Sequence, residues 1–299
     1  MSLVTDALLD HIQKKLGFDV KEHHEIGHGA HNENYLLETS HGKRLLRVYA
    51  NTQFKNAEKE CKVLRLLDGF LGPKAYYIDT SRTLLEFDYT VLEYIEGTVI
   101  KEFSDNSLAE IALKLRELHK IKVKSEHISP ISDWTSNNIK NNSKRLGVEL
   151  HREVMSLWDQ LMKLYQEIKP ALVEYTLTSL IHDDPILGNF IQTEEEIKLI
   201  DWELAHGNYF FMDLGGFIEE NGLTSEQEKT FLDAYGFGST PTEAKILAFS
   251  KAYRVAAIVG WFIERIALLR EGKKVFIAED QGEYEKNLEA EVEHLKRLL

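Results

Sequence analysis

Two aspartates and one asparagine stand at the spacing that phosphoryl transfer from ATP requires. Asp184 is followed by Asn189, and a short apolar run then ends at Asp201. This chemistry needs positioned Mg²⁺, cradled phosphates and an oriented nucleophile rather than covalent help from the protein. We predict that Asp184 accepts the proton of a substrate hydroxyl, that Asn189 holds one metal ion, and that Asp201 binds the metal bridging the β- and γ-phosphates. His182 completes the predicted catalytic loop as its brace.

Short strands are needed to position these side chains. The apolar pairs at 180–181 and 190–191 indicate strands on either side of a loop, and the run at 197–200 indicates a third strand that ends at Asp201. We therefore expect Asp184, Asn189 and Asp201 to converge. An acidic chain can also produce His-x-Asp-x-x-x-x-Asn by accident, so this motif alone is weak. The later aspartate, in the order that kinases use, makes coincidence a poorer explanation.

The order His-x-Asp-x-x-x-x-Asn and then Ile-Asp resembles the kinase-like phosphotransferases of small molecules, the aminoglycoside phosphotransferase and choline kinase superfamily. It resembles that group more than the protein kinases, because the turn after Asp201 reads Trp-Glu rather than Phe-Gly. Further segments resemble the bacterial choline and ethanolamine kinases and the thiamine kinases, and they follow the family order along most of the chain. These segments are residues 29–35, 45–49, 72–76, 200–205, 212–214 and 220–223.

The resemblance implies an α+β, protein-kinase-like fold with two lobes. A small N-lobe, residues 1–96, would contain the nucleotide-binding sheet and a helix. A larger, mainly helical C-lobe, residues 97–299, would contain the catalytic loop, the metal site and the substrate-binding helices. The patterning agrees, because short apolar runs separated by turn residues give way to helical periodicity after Glu96-Gly97.

Hydrophobic periodicity and turn residues predict the individual elements. Short strands are predicted over residues 35–38, 45–49, 84–87 and 91–95. A further helix is predicted to begin at a capping box formed by Ser107 and Glu110. The other helices are predicted over residues 3–16, 56–68, 146–168, 226–235, 242–270 and 283–298.

Glycines before the first predicted strand begin the predicted nucleotide site. At Gly27 and Gly29 backbone amides could close over phosphates, because glycine permits near approach. A simple hairpin turn is the alternative interpretation of these glycines. The resemblance adds Asn32 to this region. It also implies that the segment containing Glu93 and Ile95 is the hinge that reads adenine through backbone groups.

An arginine occupies the strand position where most kinases carry a phosphate-binding lysine. Arg47 is always charged and can bind in a bidentate manner, so a contact with the α- and β-phosphates is chemically feasible. Choline kinases resemble this chain in using arginine there. A strand arginine that faces solvent is the alternative. Glu60, on the helix predicted over residues 56–68, is the expected partner that orients the guanidinium.

The composition is that of a globular protein with an excess of acid. The chain has 299 residues, 43% of them hydrophobic and 28% charged, with a net charge of −13. This charge argues against a nucleic-acid partner and is compatible with a cationic substrate.

The lone cysteine, Cys61, forms no internal disulfide, which favours a cytoplasmic location. We find neither a run of about 18 apolar residues nor a signal-peptide pattern, so we expect no membrane span. No pattern marks an oligomer interface.

Aromatic and acidic side chains beyond the metal-binding strand are candidates for acceptor recognition. Ring faces combined with carboxylates are the usual means of holding an ammonium group. The candidates are Trp202, Glu203, Glu219 and Trp261. Core packing is the alternative for each aromatic side chain. Eukaryotic-type choline kinases carry more tryptophan near the C-terminal helix pair than this chain does.

The resemblance also gives a role to Asp213. It matches an acidic residue of the family that braces the catalytic loop.

Taken together, these residues predict an ATP- and Mg²⁺-dependent kinase that phosphorylates a hydroxyl of a small, amine-bearing metabolite. An amino alcohol similar to choline or ethanolamine is favoured as the acceptor. An aminoglycoside kinase and a thiamine kinase are the alternatives among enzymes. From another class, the chain could be a catalytically silent, kinase-like nucleotide-binding module, which arginine in place of lysine at position 47 would favour.

Overall fold

The structure, a computed structural model, describes residues 3–28, 32–49, 56–124, 130–273 and 281–299. The chain divides into two compact units. The first contains Met1–Glu102 and Leu187–Ala205, and the second contains Phe103–Ile186 and His206–Leu299.

Within the described ranges, strands predominate in the first unit and helices in the second. The strands are β1 (Val20–His28), β2 (Glu33–Thr39), β3 (Gly42–Tyr49), β4 (Ala75–Asp79), β5 (Asp88–Glu93), β6 (Thr98–Val99), β7 (Ser179–Ile181), β8 (Phe190–Gln192), β9 (Ile197–Leu199) and β10 (His206–Asn208). The helices are α1 (Asp6–Leu16), α2 (Asn56–Leu67), α3 (Asp105–Leu118), α4 (Asp133–Lys140), α5 (Val148–Ile168), α6 (Phe211–Glu220), α7 (Ser225–Tyr235), α8 (Pro241–Arg270) and α9 (Gln281–Leu298).

The first unit is built on a five-stranded antiparallel sheet in the order β1-β2-β3-β5-β4. Because side chains alternate along a strand, β3 presents two different faces. Leu46 and Val48 join the apolar cluster that contains Leu8 and Ile12 of α1. Arg47 belongs to the opposite face, so the sequence of β3 itself separates a packing face from a polar one.

A second, smaller sheet completes the first unit and includes strands that follow the predicted catalytic loop. Strand β8 pairs with both β6 and β9, all antiparallel. This pairing explains why residues 97–102 and 187–205 group with the first unit, whereas the predicted C-lobe contains all of residues 97–299. Asn189 and Asp201 therefore belong to the same unit as Arg47 and Glu60.

The second unit is a helical assembly that also contains the two-stranded sheet β7-β10. Helix α8 is the longest helix among the described residues, and its buried side chains occur all along its length. By length and composition α8 could cross a membrane, since an 18-residue stretch of it has a mean hydropathy of 1.5. However, 61% of that stretch is buried inside the protein. Lys251 and Arg254 of this helix form ion pairs with carboxylates of the second unit. These are the features of a core helix.

Most predicted elements are confirmed, and the differences have local causes. The strand predicted over 84–87 is wrong: Leu85 and Phe87 pack against the apolar cluster from the connection to β5, and the ladder position belongs to β4 instead. The predicted capping box is also displaced. Helix α3 begins one turn earlier, with Ser104 as its N-cap and Ser107 as the reciprocal partner.

Candidate active site

In the first unit, Arg47 is the centre of a buried ionic cluster. One of its terminal nitrogens lies 2.7 Å from Glu60 Oε1 and 3.0 Å from Asp201 Oδ1, and its Nε donates to Asn34 Oδ1 at 3.2 Å. Burial lowers the pKa of Arg47, but the carboxylates of Glu60 and Asp201 outweigh burial and raise it above its usual value. The predicted Arg47–Glu60 pair is confirmed, and the alternative of a solvent-facing arginine is not.

Glu60 is the most enclosed carboxylate of this cluster, with 1% of its surface exposed. Besides Arg47, it accepts hydrogen bonds from the hydroxyl of Tyr49 and from the backbone nitrogen of Trp202. Burial raises the pKa of Glu60, although Arg47 opposes this effect. Tyr49 shares the Arg47 face of β3, and strand alternation would have identified it as a member of the cluster.

The two predicted metal ligands are connected through the backbone. Asn189 ends a short 3-10 turn, Leu187–Asn189, and its carbonyl oxygen accepts from the backbone nitrogen of Ile200 at 2.9 Å. Asp201 has a φ of 68°, a left-handed conformation that aspartate tolerates better than most residues. The side chain of Asp201 is 35% exposed. An amide oxygen and a carboxylate are suitable Mg²⁺ ligands, since this ion is often held by one or two protein groups and by substrate phosphates. No larger group of metal-ligating side chains occurs among the described residues.

Trp202 and Glu203 lie within the first unit, away from the exposed surface. Trp202 is fully buried, and its Nε1 donates to the carbonyl oxygen of Leu199 at 2.8 Å. A Cβ added at Gly72 would come within 2.6 Å of the same Nε1, so the indole fits closely there. We assign Trp202 to packing rather than to acceptor recognition. Glu203 is also buried and accepts from Asn32 Nδ2 at 3.2 Å, which joins two predicted site residues.

The remaining nucleotide residues are only partly described. Gly27 pairs with Asn34 in the β1–β2 ladder, whereas Gly29 lies outside the described residues. Glu93 ends β5, where its backbone nitrogen donates to the carbonyl oxygen of Lys74 and its side chain accepts from the Lys74 nitrogen. Ile95 follows in an irregular, half-buried segment. Their roles in nucleotide binding stay predictions.

In the second unit, the predicted catalytic loop is anchored by Asp213. The backbone nitrogens of His182 and Asp183 each donate to its carboxylate at 2.8 Å, and His119 Nε2 lies 3.0 Å from Oδ2. Burial alone would raise the pKa of Asp213, but the hydrogen bond and the charge of His119 outweigh it and lower the pKa below its usual value. The predicted bracing role of Asp213 is therefore confirmed.

Asp184, the predicted base, has contacts with a residue that the sequence patterns did not identify. Its backbone nitrogen lies 3.3 Å from His182 Nδ1, and its Oδ1 accepts from a terminal nitrogen of Arg254 at 3.2 Å. Arg254 also contacts Asp183 and Glu220. Its signal in the sequence is a charged residue in the middle of a mostly apolar helix that also carries Lys251. The predicted convergence of Asp184 with the metal ligands stays a prediction.

The two other predicted acceptor residues already have cationic neighbours. Glu219 lies 3.1 Å from Lys251 Nζ and 2.9 Å from His294 Nε2. The guanidinium carbon of Arg265 lies over the indole of Trp261, 5.0 Å from the ring centroid, which is a cation–π geometry.

The sequence model of a protein family described as "Phosphotransferase enzyme family" matches residues 22–249, well over half of the chain. The chain belongs to this phosphotransferase family. Within it, a LicA homologue of Metamycoplasma hominis is 31% identical over 175 residues, which are 56% of this chain and 64% of the relative. The match therefore spans less than two thirds of that relative's length.

Solved structures of similar fold include other phosphotransferases. The choline kinase LicA from Streptococcus pneumoniae has a TM-score of 0.67 at 22% identity, covering 97% of this chain and 98% of that one. A spectinomycin phosphotransferase in complex with ADP and spectinomycin has a TM-score of 0.68 at 17% identity, covering 100% and 99%. These likenesses confirm the expected α+β, protein-kinase-like fold for this member of the phosphotransferase family.

Proposed function

We propose that this phosphotransferase transfers the γ-phosphoryl group of ATP to a hydroxyl of a small metabolite. The arrangement of Asp184 carries the proposal: it follows a buried histidine in a loop whose backbone is held by Asp213. A carboxylate fixed in this way is suited to accept the proton of an attacking hydroxyl. Family membership and the ADP complex of a protein with similar fold support ATP as the donor.

The Arg47 cluster supplies the electrostatic part of the proposal. Arg47 would contact the α- and β-phosphates, Glu60 would keep its guanidinium in place, and Asp201 with Asn189 would hold Mg²⁺. Bound Mg²⁺ would neutralise the charge that develops on the transferred phosphoryl group. These residues fit the ion because both ligating side chains offer oxygen.

An amino alcohol similar to choline or ethanolamine is the acceptor that we favour. The LicA homologue and the choline kinase of similar fold support this choice, and the net charge of −13 suits a cation. The spectinomycin phosphotransferase of similar fold supports an aminoglycoside as the second candidate. Thiamine is a third candidate, which the sequence resemblance alone supports. The silent binding module is disfavoured because Asp184, Asn189 and Asp201 are all present.

The test is ATP consumption by the purified protein with a panel of acceptors, namely choline, ethanolamine, thiamine, spectinomycin, kanamycin and methylthioribose. We expect Mg²⁺-dependent turnover with one class of acceptor, and a loss of about 10³-fold in Asp184→Asn. A wild-type rate no higher than that of an enzyme-free reaction with every acceptor would refute kinase activity toward this panel. Near-normal turnover by Asp184→Asn would instead refute the assignment of the base.

A further inference from the structure

One guanidinium in the second unit holds both the proposed base and a neighbouring buried carboxylate. Arg254, in the middle of α8, donates from Nε to Glu220 Oε1 at 2.6 Å and from one terminal nitrogen to the carbonyl oxygen of Asp183 at 2.9 Å. The other terminal nitrogen lies 3.2 Å from Asp184 Oδ1. From these contacts we infer that Arg254 and Glu220 are positioning residues that orient Asp184 for proton acceptance. The inference rests on the proposed function, in which Asp184 is the base.

The planar shape of the guanidinium explains why an arginine suits this position. Its donors form a rigid fork, so contacts with Glu220 on one side and with the Asp183–Asp184 segment on the other fix both distance and orientation. Lysine would supply the charge without the fork. Asp183 has a φ of 66°, an uncommon conformation for a residue other than glycine, and the bond to its carbonyl oxygen helps to hold it. The loop is thus held by Asp213 at its backbone nitrogens and by Arg254 at a carbonyl and a side chain.

The same pairing changes the role expected of the acidic residues at the end of α6. A partly buried carboxylate that binds a guanidinium would have to give up that partner to bind an incoming ammonium group. The guanidinium would then be a buried charge without its partner, which costs free energy. The side chain of Glu220 is only 13% exposed, and burial raises its pKa while Arg254 opposes this effect. Glu219 is paired with Lys251 and His294. We therefore assign Glu220 to Arg254 rather than to the ammonium group of an acceptor.

The test compares steady-state kinetics of Arg254→Met, Arg254→Lys, Glu220→Gln and the double variant Arg254→Met/Glu220→Gln. The acceptor is the panel member that the wild type phosphorylates fastest. We expect Arg254→Met to lower kcat by about 10²-fold, the effect of displacing a reacting group by ~1 Å, with the KM for ATP unchanged. Arg254→Lys should recover part of the rate. Glu220→Gln should lower kcat without raising the acceptor KM, and the double variant should be no slower than Arg254→Met.

Three results would overturn the inference. The first is a kcat of Arg254→Met within a factor of three of the wild type. The second is a raised acceptor KM with unchanged kcat in Glu220→Gln, which would mean that this carboxylate binds the acceptor directly. The third is additivity in the double variant, which would mean that Glu220 does not act through Arg254. Should Arg254→Met fail to fold, as judged by circular dichroism, the inference is overturned by the second result, or by kcat values of Arg254→Lys and Glu220→Gln that are both within a factor of three of the wild type.

Two controls separate this inference from the proposed function. Arg270→Met makes the same substitution in the same helix at an exposed ion pair with Glu285, and we expect it to leave kcat unchanged. An enzyme-free reaction defines the background. If the wild type turns over no faster than the enzyme-free reaction, the proposed function fails and takes the inference with it. If the wild type is active and Arg254→Met matches it, only the inference fails.

Discussion

Each unit of this protein contains a partly or fully buried arginine that joins a helical glutamate to a loop aspartate. In the first unit Arg47 joins Glu60 to Asp201, and in the second Arg254 joins Glu220 to Asp184. The first glutamate is 1% exposed at its side chain and the second 13%. Both aspartates are more open than their arginines, at 35% and 26%.

The difference in burial indicates different roles for the two clusters. Glu60 accepts from three groups, including the Tyr49 hydroxyl and a backbone nitrogen, so the first cluster is part of the core as well as of the predicted nucleotide site. Glu220 belongs to a more accessible cluster on α6. A triphosphate and its metal are the same in every kinase of this type, whereas acceptors differ. We interpret the more enclosed cluster as the constant part and the more open one as the adaptable part.

Single substitutions of Asp201 and Asp184 should distinguish nucleotide binding from proton acceptance. We expect them to lower turnover more than any other single substitution. Asp201→Asn should lower turnover by about 10³-fold and abolish the rise in melting temperature with Mg-ATP, because a proposed metal ligand is weakened. Asp184→Asn should lower turnover similarly but retain that rise. The exposed Asp233→Asn is the matched control. Loss of the thermal shift in Asp184→Asn alone would reverse the two assignments.

Substituting the two glutamates should reveal the difference in burial as a difference in stability. Glu60→Gln leaves Arg47 without its most buried partner, and we expect it to lower the free energy of unfolding by about 3 kcal/mol. Glu220→Gln should cost less, about 1 kcal/mol, because its cluster is better solvated. Urea denaturation measures both, with Glu285→Gln as a surface ion-pair control. Equal losses at the two positions would remove the distinction between a core cluster and an open one.

Asp213, the anchor of the predicted catalytic loop, should show a pH dependence of its own. Asp213 has a pKa lowered below 3.8, so its contribution to stability is present above that pH and is lost as the pH falls through the folded-state value. Asp213→Asn should lower the free energy of unfolding by about 2 kcal/mol at pH 7, since an amide cannot accept from both backbone nitrogens. Urea denaturation of both proteins should show this difference shrinking below pH 3.8. A difference that is constant down to pH 3 would contradict the charge-based role.

The sequence predicted the first cluster better than the second, for physical reasons. Arg47 and Glu60 lie in short elements whose periodicity is clear, and the family resemblance assigns a role to each position. Arg254 lies in the middle of an apolar helix, where periodicity indicates only which face is buried. A partner such as Glu220 lies 34 residues away in the chain, so its pairing depends on tertiary packing rather than on local pattern. The same reasoning explains why the sequence left both acceptor recognition and core packing open for Trp202, whose close contact with Gly72 favours packing.

The adjacent residues Glu219 and Glu220 allow the sharpest comparison, with the smallest expected effect. Glu219 is paired with Lys251 and His294, and among the described residues no ion pair joins it to Arg254. Glu219→Gln should therefore leave kcat and the acceptor KM within a factor of two, in contrast to Glu220→Gln, which should lower kcat. Steady-state kinetics at matched enzyme concentration measures both. A raised acceptor KM in Glu219→Gln would restore this carboxylate as a site for the ammonium group, since Lys251 and His294 would then have to yield to the acceptor.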